Sequence, residues 1–217
     1  MSFRRYILAS RSPRRLELLR QVVHPELIEV RPPVSSDEAG FDDCDDLAAI
    51  RSRLQSIART KAEQVRAALN AEEAELHELP RTLLISADTT VVVEDRDRRP
   101  IVLGQPPEHD EWREVVRDWF HHHYAGKTHL AITAVYVTTP DGRNAEALVE
   151  TKVTFRSDVE TWLNWYLLTG EPRGKAGGYA LQGAGSVFIE RVEGSLSNVV
   201  GLPLEALLNL FAEVRLK

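Results

Sequence analysis

Apolar residues in this chain follow two spacings, a helical one of three to four residues and short unbroken runs, and their alternation predicts a mixed α/β molecule. Residues 6–9 form a short apolar run, and Leu16, Leu18, Leu19 and Val22 form one face of a helix. Residues 27–30 predict a second strand, ended by Pro32 and Pro33. The longest helix starts after residues 42–46, carries Leu47, Ile50, Leu54, Ile57, Ala58, Ala62, Val65 and Leu69 on one stripe, and runs towards Leu76 before Pro80. Residues 82–86 and 90–93 read as buried strand interrupted at Ala87-Asp88-Thr89. A turn at residues 95–98 leads into a strand at 101–103, and residues 107–122 predict a helix with Trp112, Val115, Val116, Trp119 and Phe120 on its inner side. Residues 129–138 and 145–155 predict a hairpin through Pro140-Asp141-Gly142. A helix over 159–168 follows, whose Trp162, Trp165 and Tyr166 fit a core or a subunit interface, then a strand at 186–189 and a closing helix over 203–214.

Polar residues that interrupt these patterns mark the candidate chemistry. Lys61 falls on the apolar stripe, where it either snorkels past the core's edge or aims its ammonium into a cleft. Asp88 has apolar neighbours on both sides, so it is a strand-bend cap or a general base or metal ligand. Ser10-Arg11-Ser12-Pro13-Arg14-Arg15 reads as a capped helix start with proline in its first turn. Acidic residues are favoured at that end of a helix, so three arginines there, Arg11, Arg14 and Arg15, predict that an anion such as phosphate binds. Residues 170–185 hold six glycines, as ligand loops with close backbone approach need. His121, His122, His123 and His129 are not read as a metal site, because no Cys or carboxylate spacing frames them.

Composition narrows the classes. The length of 217 residues suits one α/β domain spanning 1–217, or at most two small lobes, and predicts a whole chain rather than a fragment. A net charge of −6 argues against a general nucleic-acid binder, so the local arginines serve a pocket. The lone Cys44 has no internal disulfide partner. No signal core or apolar run of membrane-spanning length occurs, and the expected location is cytoplasmic, with no membrane partner.

Taken in order, residues 8–19, Asp37-Glu38, residues 58–62, Ala87-Asp88-Thr89, residues 126–129, Lys175-Ala176-Gly177-Gly178-Tyr179, Leu181-Gln182-Gly183 and residues 199–204 resemble the Maf family of nucleoside triphosphate pyrophosphatases. The resemblance implies an elongated mixed sheet with flanking helices and a central groove, similar to inosine triphosphate pyrophosphatases, and commonly a homodimer. It implies hydrolysis of a nucleoside triphosphate to the monophosphate and pyrophosphate with Mg²⁺ or Mn²⁺. Asp88 is then the expected general base, Glu38 and Asp88 the metal ligands, and Lys61 a third catalytic group. Ser10, Ser12, Arg14, Arg15, Thr89, Gln105, Lys175 and Gln182 are the expected substrate contacts.

Within the family, Arg15, Thr89 and Gln182 resemble the members acting on dTTP and UTP, and Gln182 offers both a donor and an acceptor to a pyrimidine edge. A 7-methyl-GTP pyrophosphatase and a weakly active nucleotide-binding regulator of cell division stay open as alternatives. One departure stands out: Gln105 occupies a position where the family usually carries lysine. Losing that charge-assisted contact costs about 1.5–3 kcal/mol of interaction unless Arg98, Arg99 or Lys127 lies close enough to compensate.

Overall fold

The computed structural model describes residues 3–34, 40–72, 81–109 and 111–216. A seven-stranded mixed sheet organises them in the order β2-β1-β3-β5-β6-β7, with β4 also paired to β3. The strands are β1 (Arg5–Leu8), β2 (Ile28–Val30), β3 (Thr82–Glu94), β4 (Pro100–Leu103), β5 (Thr128–Thr138), β6 (Asn144–Phe155) and β7 (Ile189–Glu193). β1 runs parallel to β2 and β3, whereas all other pairings are antiparallel. The helices are α1 (Pro13–Leu19), α2 (Leu47–Glu72), α3 (Trp112–Trp119), α4 (Glu160–Thr169), α5 (Leu196–Val200) and α6 (Leu204–Leu216).

Side-chain alternation along β3 explains how the layers form. Leu84 and Val92 pack under α2 with Ile50, Leu54, Ala58, Ala62, Val65 and Leu69. On the opposite face Leu83, Ile85 and Ala87 join α1 and α6, while Val91 and Val93 join an aromatic cluster built with α3 and α4. Thr89 lies on this second face, between the two clusters in sequence. The apolar stripe of α2 therefore packs as its spacing predicted.

Several boundaries differ from the sequence reading. β3 is one continuous strand through Ala87-Asp88-Thr89, because β5 pairs with it without a break from Leu84 to Val92 and supplies the ladder that local sequence cannot reveal. The helix expected from residue 107 starts at Trp112 and passes into a π-helical turn, Phe120–Tyr124. Residues expected as the strand 186–189 wind instead into a 3₁₀ turn, Ala184–Phe188, and the strand begins at Ile189. α2 is described to Glu72, and its expected extension towards Leu76 lies outside the described residues. Tyr166 is buried in the aromatic cluster, whereas Trp162 and Trp165 are exposed.

Candidate active site

The candidate site begins where one edge of β3 loses its partner. β1 pairs with β3 as far as Leu8 opposite Ile85, and β4 takes up the same edge only from Val91 opposite Leu103. Residues 86–90 are thus held by β5 on one side and open on the other. Ser86 faces α2 and donates its hydroxyl to the Ala58 carbonyl at 2.6 Å. Two residues on, Asp88 Oδ1 meets Lys61 Nζ at 2.6 Å, with side-chain exposures of only 13% and 14%. Lys61 therefore reaches from the apolar stripe into a cleft, the second of the two outcomes its position left open. Removing one partner of a pair this buried typically costs several kcal/mol.

The arginine-loaded helix start closes the other side of the gap. Ser12 caps α1, its hydroxyl accepting from the Arg15 amide at 3.5 Å, and Pro13 opens the helix. Arg15 turns inward: Nε donates to the Gly201 carbonyl at 2.9 Å, one terminal nitrogen to Ser10 Oγ at 3.2 Å and the other to Thr89 Oγ1 at 3.1 Å. Arg14 points differently, since its guanidinium makes no hydrogen bond among the described residues, and burial lowers its pKa from the usual arginine value. Arg11 donates to the Pro33 carbonyl at 3.1 Å. Neighbouring arginines thus divide into a strut, Arg15, and a charge held towards the cleft, Arg14.

The glycine-rich block forms the third wall. Gly177 adopts φ +70°, and a Cβ there would lie 2.5 Å from the Tyr124 hydroxyl and 2.7 Å from Val91, so only glycine fits. Tyr124 fixes the turn by donating to the Gly177 carbonyl at 2.7 Å, while the Gly177 amide donates to the Gly104 carbonyl at 3.0 Å. Glu171 gathers the far end of the block, its carboxylate accepting from the amides of Ala184 at 2.7 Å and Gly185 at 2.8 Å. Lys175 Nζ donates to the Glu171 carbonyl. Burial and then the nearby Arg14 charge lower the Lys175 pKa.

These walls enclose a cleft of about 410 Å³. Ser10, Ser12, Arg14, Arg15, Lys61, Asp88, Thr89, Gln105, Lys175 and Gln182 all line it, although they come from distant parts of the chain. Glu38, the remaining sequence candidate, lies outside the described residues. Arg98, Arg99 and Lys127 do not line the cleft: the two arginines belong to the turn between β3 and β4, and Lys127 lines a separate surface pocket with His121–His123. The expected compensation for Gln105 therefore does not come from them. Arg11, one of the three arginines of the helix-start motif, also lines the cleft; sequence reasoning missed Glu171, which organises it, and a single carboxylate among glycines was the available signal.

Residues 5–214 match the family model described as "Maf-like protein". The chain belongs to the Maf family. It is 35% identical over 213 residues to the "dTTP/UTP pyrophosphatase" of Brucella abortus (strain 2308), covering 95% of this chain and 90% of the relative. The protein of the same description from Anaeromyxobacter sp. (strain Fw109-5) is 39% identical over 210 residues, covering 94% and 86%. Among solved structures, the "Nucleoside-triphosphatase / dITP/XTP pyrophosphatase" of Mycobacterium abscessus aligns with a TM-score of 0.41 at 14% identity, over 70% of this chain and 75% of that one.

Charge in this Maf-family cleft is one-sided. Its lining includes five cationic side chains, Arg11, Arg14, Arg15, Lys61 and Lys175, and among the described residues a single carboxylate, Asp88. Among the described residues Asp88 is the one hard oxygen donor of carboxylate type on the lining, whereas a Mg²⁺-type cation takes one or two carboxylates together with waters and substrate phosphates. Among the described residues no three His, Cys, Asp or Glu side chains are grouped to hold a metal by themselves. No described helix is long and apolar enough to cross a membrane.

Proposed function

We propose that this protein hydrolyses pyrimidine nucleoside triphosphates, dTTP and UTP, to the monophosphate and pyrophosphate. The observation that carries the reading is the cleft itself, where the described residues set five cations around one ion-paired carboxylate in a chain of net charge −6. Such a lining suits a polyanion whose reaction develops further charge on oxygen, and preorganised cations act most strongly where water is excluded. The names of the similar proteins support the same substrates.

In this reading Arg14 and Lys175 grip the triphosphate. Each is a partly buried cation with a lowered pKa, and each gains by meeting an anion. Arg15 holds the helix start against Gly201, Ser10 and Thr89 and thereby aims those groups. Lys61 fixes Asp88 Oδ1, and the carboxylate accepts a proton from the water attacking the α-phosphorus. Bonding of that water oxygen to phosphorus displaces pyrophosphate as the leaving group, so a nucleoside monophosphate remains. Asp88, with Glu38, would hold Mg²⁺ or Mn²⁺, which when bound neutralises phosphate charge and makes coordinated water more acidic. Gln182 stands in the lining with both a donor and an acceptor for a pyrimidine edge.

The test is pyrophosphate release from dTTP, UTP and 7-methyl-GTP with added Mg²⁺ or Mn²⁺, for the wild type and Asp88→Asn. The two pyrimidine nucleotides are expected to turn over fastest, and the amide variant, which cannot accept the proton, should lose roughly 10²–10⁴-fold in kcat. A preference for 7-methyl-GTP contradicts the substrate assignment. Unchanged turnover by the variant contradicts the role of Asp88.

A further inference from the structure

Thr89 and its partner across the ladder, Thr133, occupy the seam between the two hydrophobic clusters on one face of the sheet. Thr133 does not line the cleft and is fully buried, yet it is polar in a strand whose alternate positions, Ala131, Val135 and Val137, are apolar. Its hydroxyl lies 2.9 Å from Thr89 Oγ1 and 3.3 Å from the Asn198 carbonyl, and its one proton can go to either. Asn198 is also fully buried and bolts α5 to the sheet, its Nδ2 donating to the Ala131 carbonyl at 3.0 Å and to Thr151 Oγ1 at 2.9 Å. A polar line thus runs from the cleft wall into the interior: Arg15, Thr89, Thr133, Asn198, Thr151.

Donor counting gives this line a direction. Arg15 carries no acceptor, so Thr89 Oγ1 must accept from it. The Thr89 proton then goes to Thr133 Oγ1, or to the Gly201 carbonyl 3.4 Å away if Thr133 turns its own proton towards Thr89. In both arrangements the proton ends on an acceptor belonging to the protein, and the hydroxyl is kept as an acceptor for the guanidinium. Buried polar groups are costly unless satisfied, and replacing both threonines by valine would take one partner from the Arg15 guanidinium and one from the Asn198 carbonyl.

We propose that Thr133 is a positioning residue for the reaction, acting through Thr89 on Arg15 without touching the nucleotide. It fixes the rotation of the Thr89 hydroxyl, which holds one arm of the guanidinium, and ties that hydroxyl to the Asn198 carbonyl of α5. The Arg15 plane in turn orders Ser10 and the helix start that faces the triphosphate. This inference rests on the nucleotide hydrolysis proposed above.

The experiment compares wild type, Thr133→Val, Thr133→Ser, Thr89→Val and the double valine variant, measuring kcat and KM for UTP together with thermal midpoints. Loss of one neutral hydrogen bond in the relay should lower kcat/KM about fivefold in Thr133→Val, with Thr133→Ser restoring most of it. In the Thr89→Val background the same change should have almost no further effect on kcat/KM, because the relay is already cut. A purely structural role moves the thermal midpoint and leaves kcat and KM unchanged, which overturns the proposal, as does additivity of the two valine substitutions. Wild-type protein that releases no pyrophosphate from any nucleoside triphosphate overturns the functional reading beneath it; active wild type with an unaffected Thr133→Val variant overturns this inference alone.

Discussion

Two adjacent arginines show how single side chains acquire different tasks from one motif. Arg15 spends its donors on Gly201, Ser10 and Thr89, whereas Arg14 is left beside Lys175 with its charge disfavoured by burial. Burial opposes the charge on both, the nearby Glu171 carboxylate offsets part of that, and a bound anion is correspondingly favourable. The residue with the clearest deficit is Gln105, which lines the same cleft and can donate a hydrogen bond but carries no charge. Since Arg98, Arg99 and Lys127 stand elsewhere, Gln105→Lys is expected to raise kcat/KM for UTP by roughly tenfold, the equivalent of one charge-assisted contact. Steady-state kinetics of that variant decide the point, and an unchanged or lower value means that the position is not an electrostatic gap.

At the level of elements, the cleft exists because two partners share one edge of β3 without meeting. The polar residues in the gap then sort by alternation, Ser86 and Asp88 towards α2, and Thr89 towards α1 and α5. The glycine-rich block can approach this edge only while Gly177 has no Cβ. Gly177→Ala meets both the Tyr124 hydroxyl and Val91 at a positive φ, so it should cost about 1–3 kcal/mol of stability and raise KM by displacing Lys175 and Gln182. Chemical denaturation and kinetics on the same preparation check both effects. The glycines, the capped helix start and the misplaced Lys61 were visible in the sequence because each breaks a local rule. The continuity of β3 was not, since it depends on β5 some forty residues away. The shift from a strand at 186–189 to a 3₁₀ turn was hidden likewise, because Glu171 holds the amides of Ala184 and Gly185 from outside the segment.

Over the whole molecule, the cleft is backed by the aromatic cluster, and Tyr179 belongs to both. Its ring lines the cleft and its hydroxyl lies 2.8 Å from Nε2 of the buried His129. Burial pushes the His129 pKa down to about 3, so the imidazole stays neutral in the fold across the range where an unfolded histidine takes up a proton. Stability must therefore fall as pH drops from about 6.5 towards 3, with His129 contributing a slope of ~1.4 kcal/mol per pH unit. His129→Gln keeps a partner for Tyr179 and removes the titration. Urea unfolding at pH steps between 6 and 4 should show a flatter dependence for that variant, and an identical slope would assign the acid sensitivity to other groups.

The proposed reaction turns on water attacking the α-phosphorus beside Asp88. Hydrolysis of UTP in ¹⁸O-enriched water, with mass analysis of both products, tests that claim most directly. One ¹⁸O per turnover in the UMP phosphate, and none in pyrophosphate, is the predicted result. Label in pyrophosphate, or release of UDP and inorganic phosphate, would contradict it.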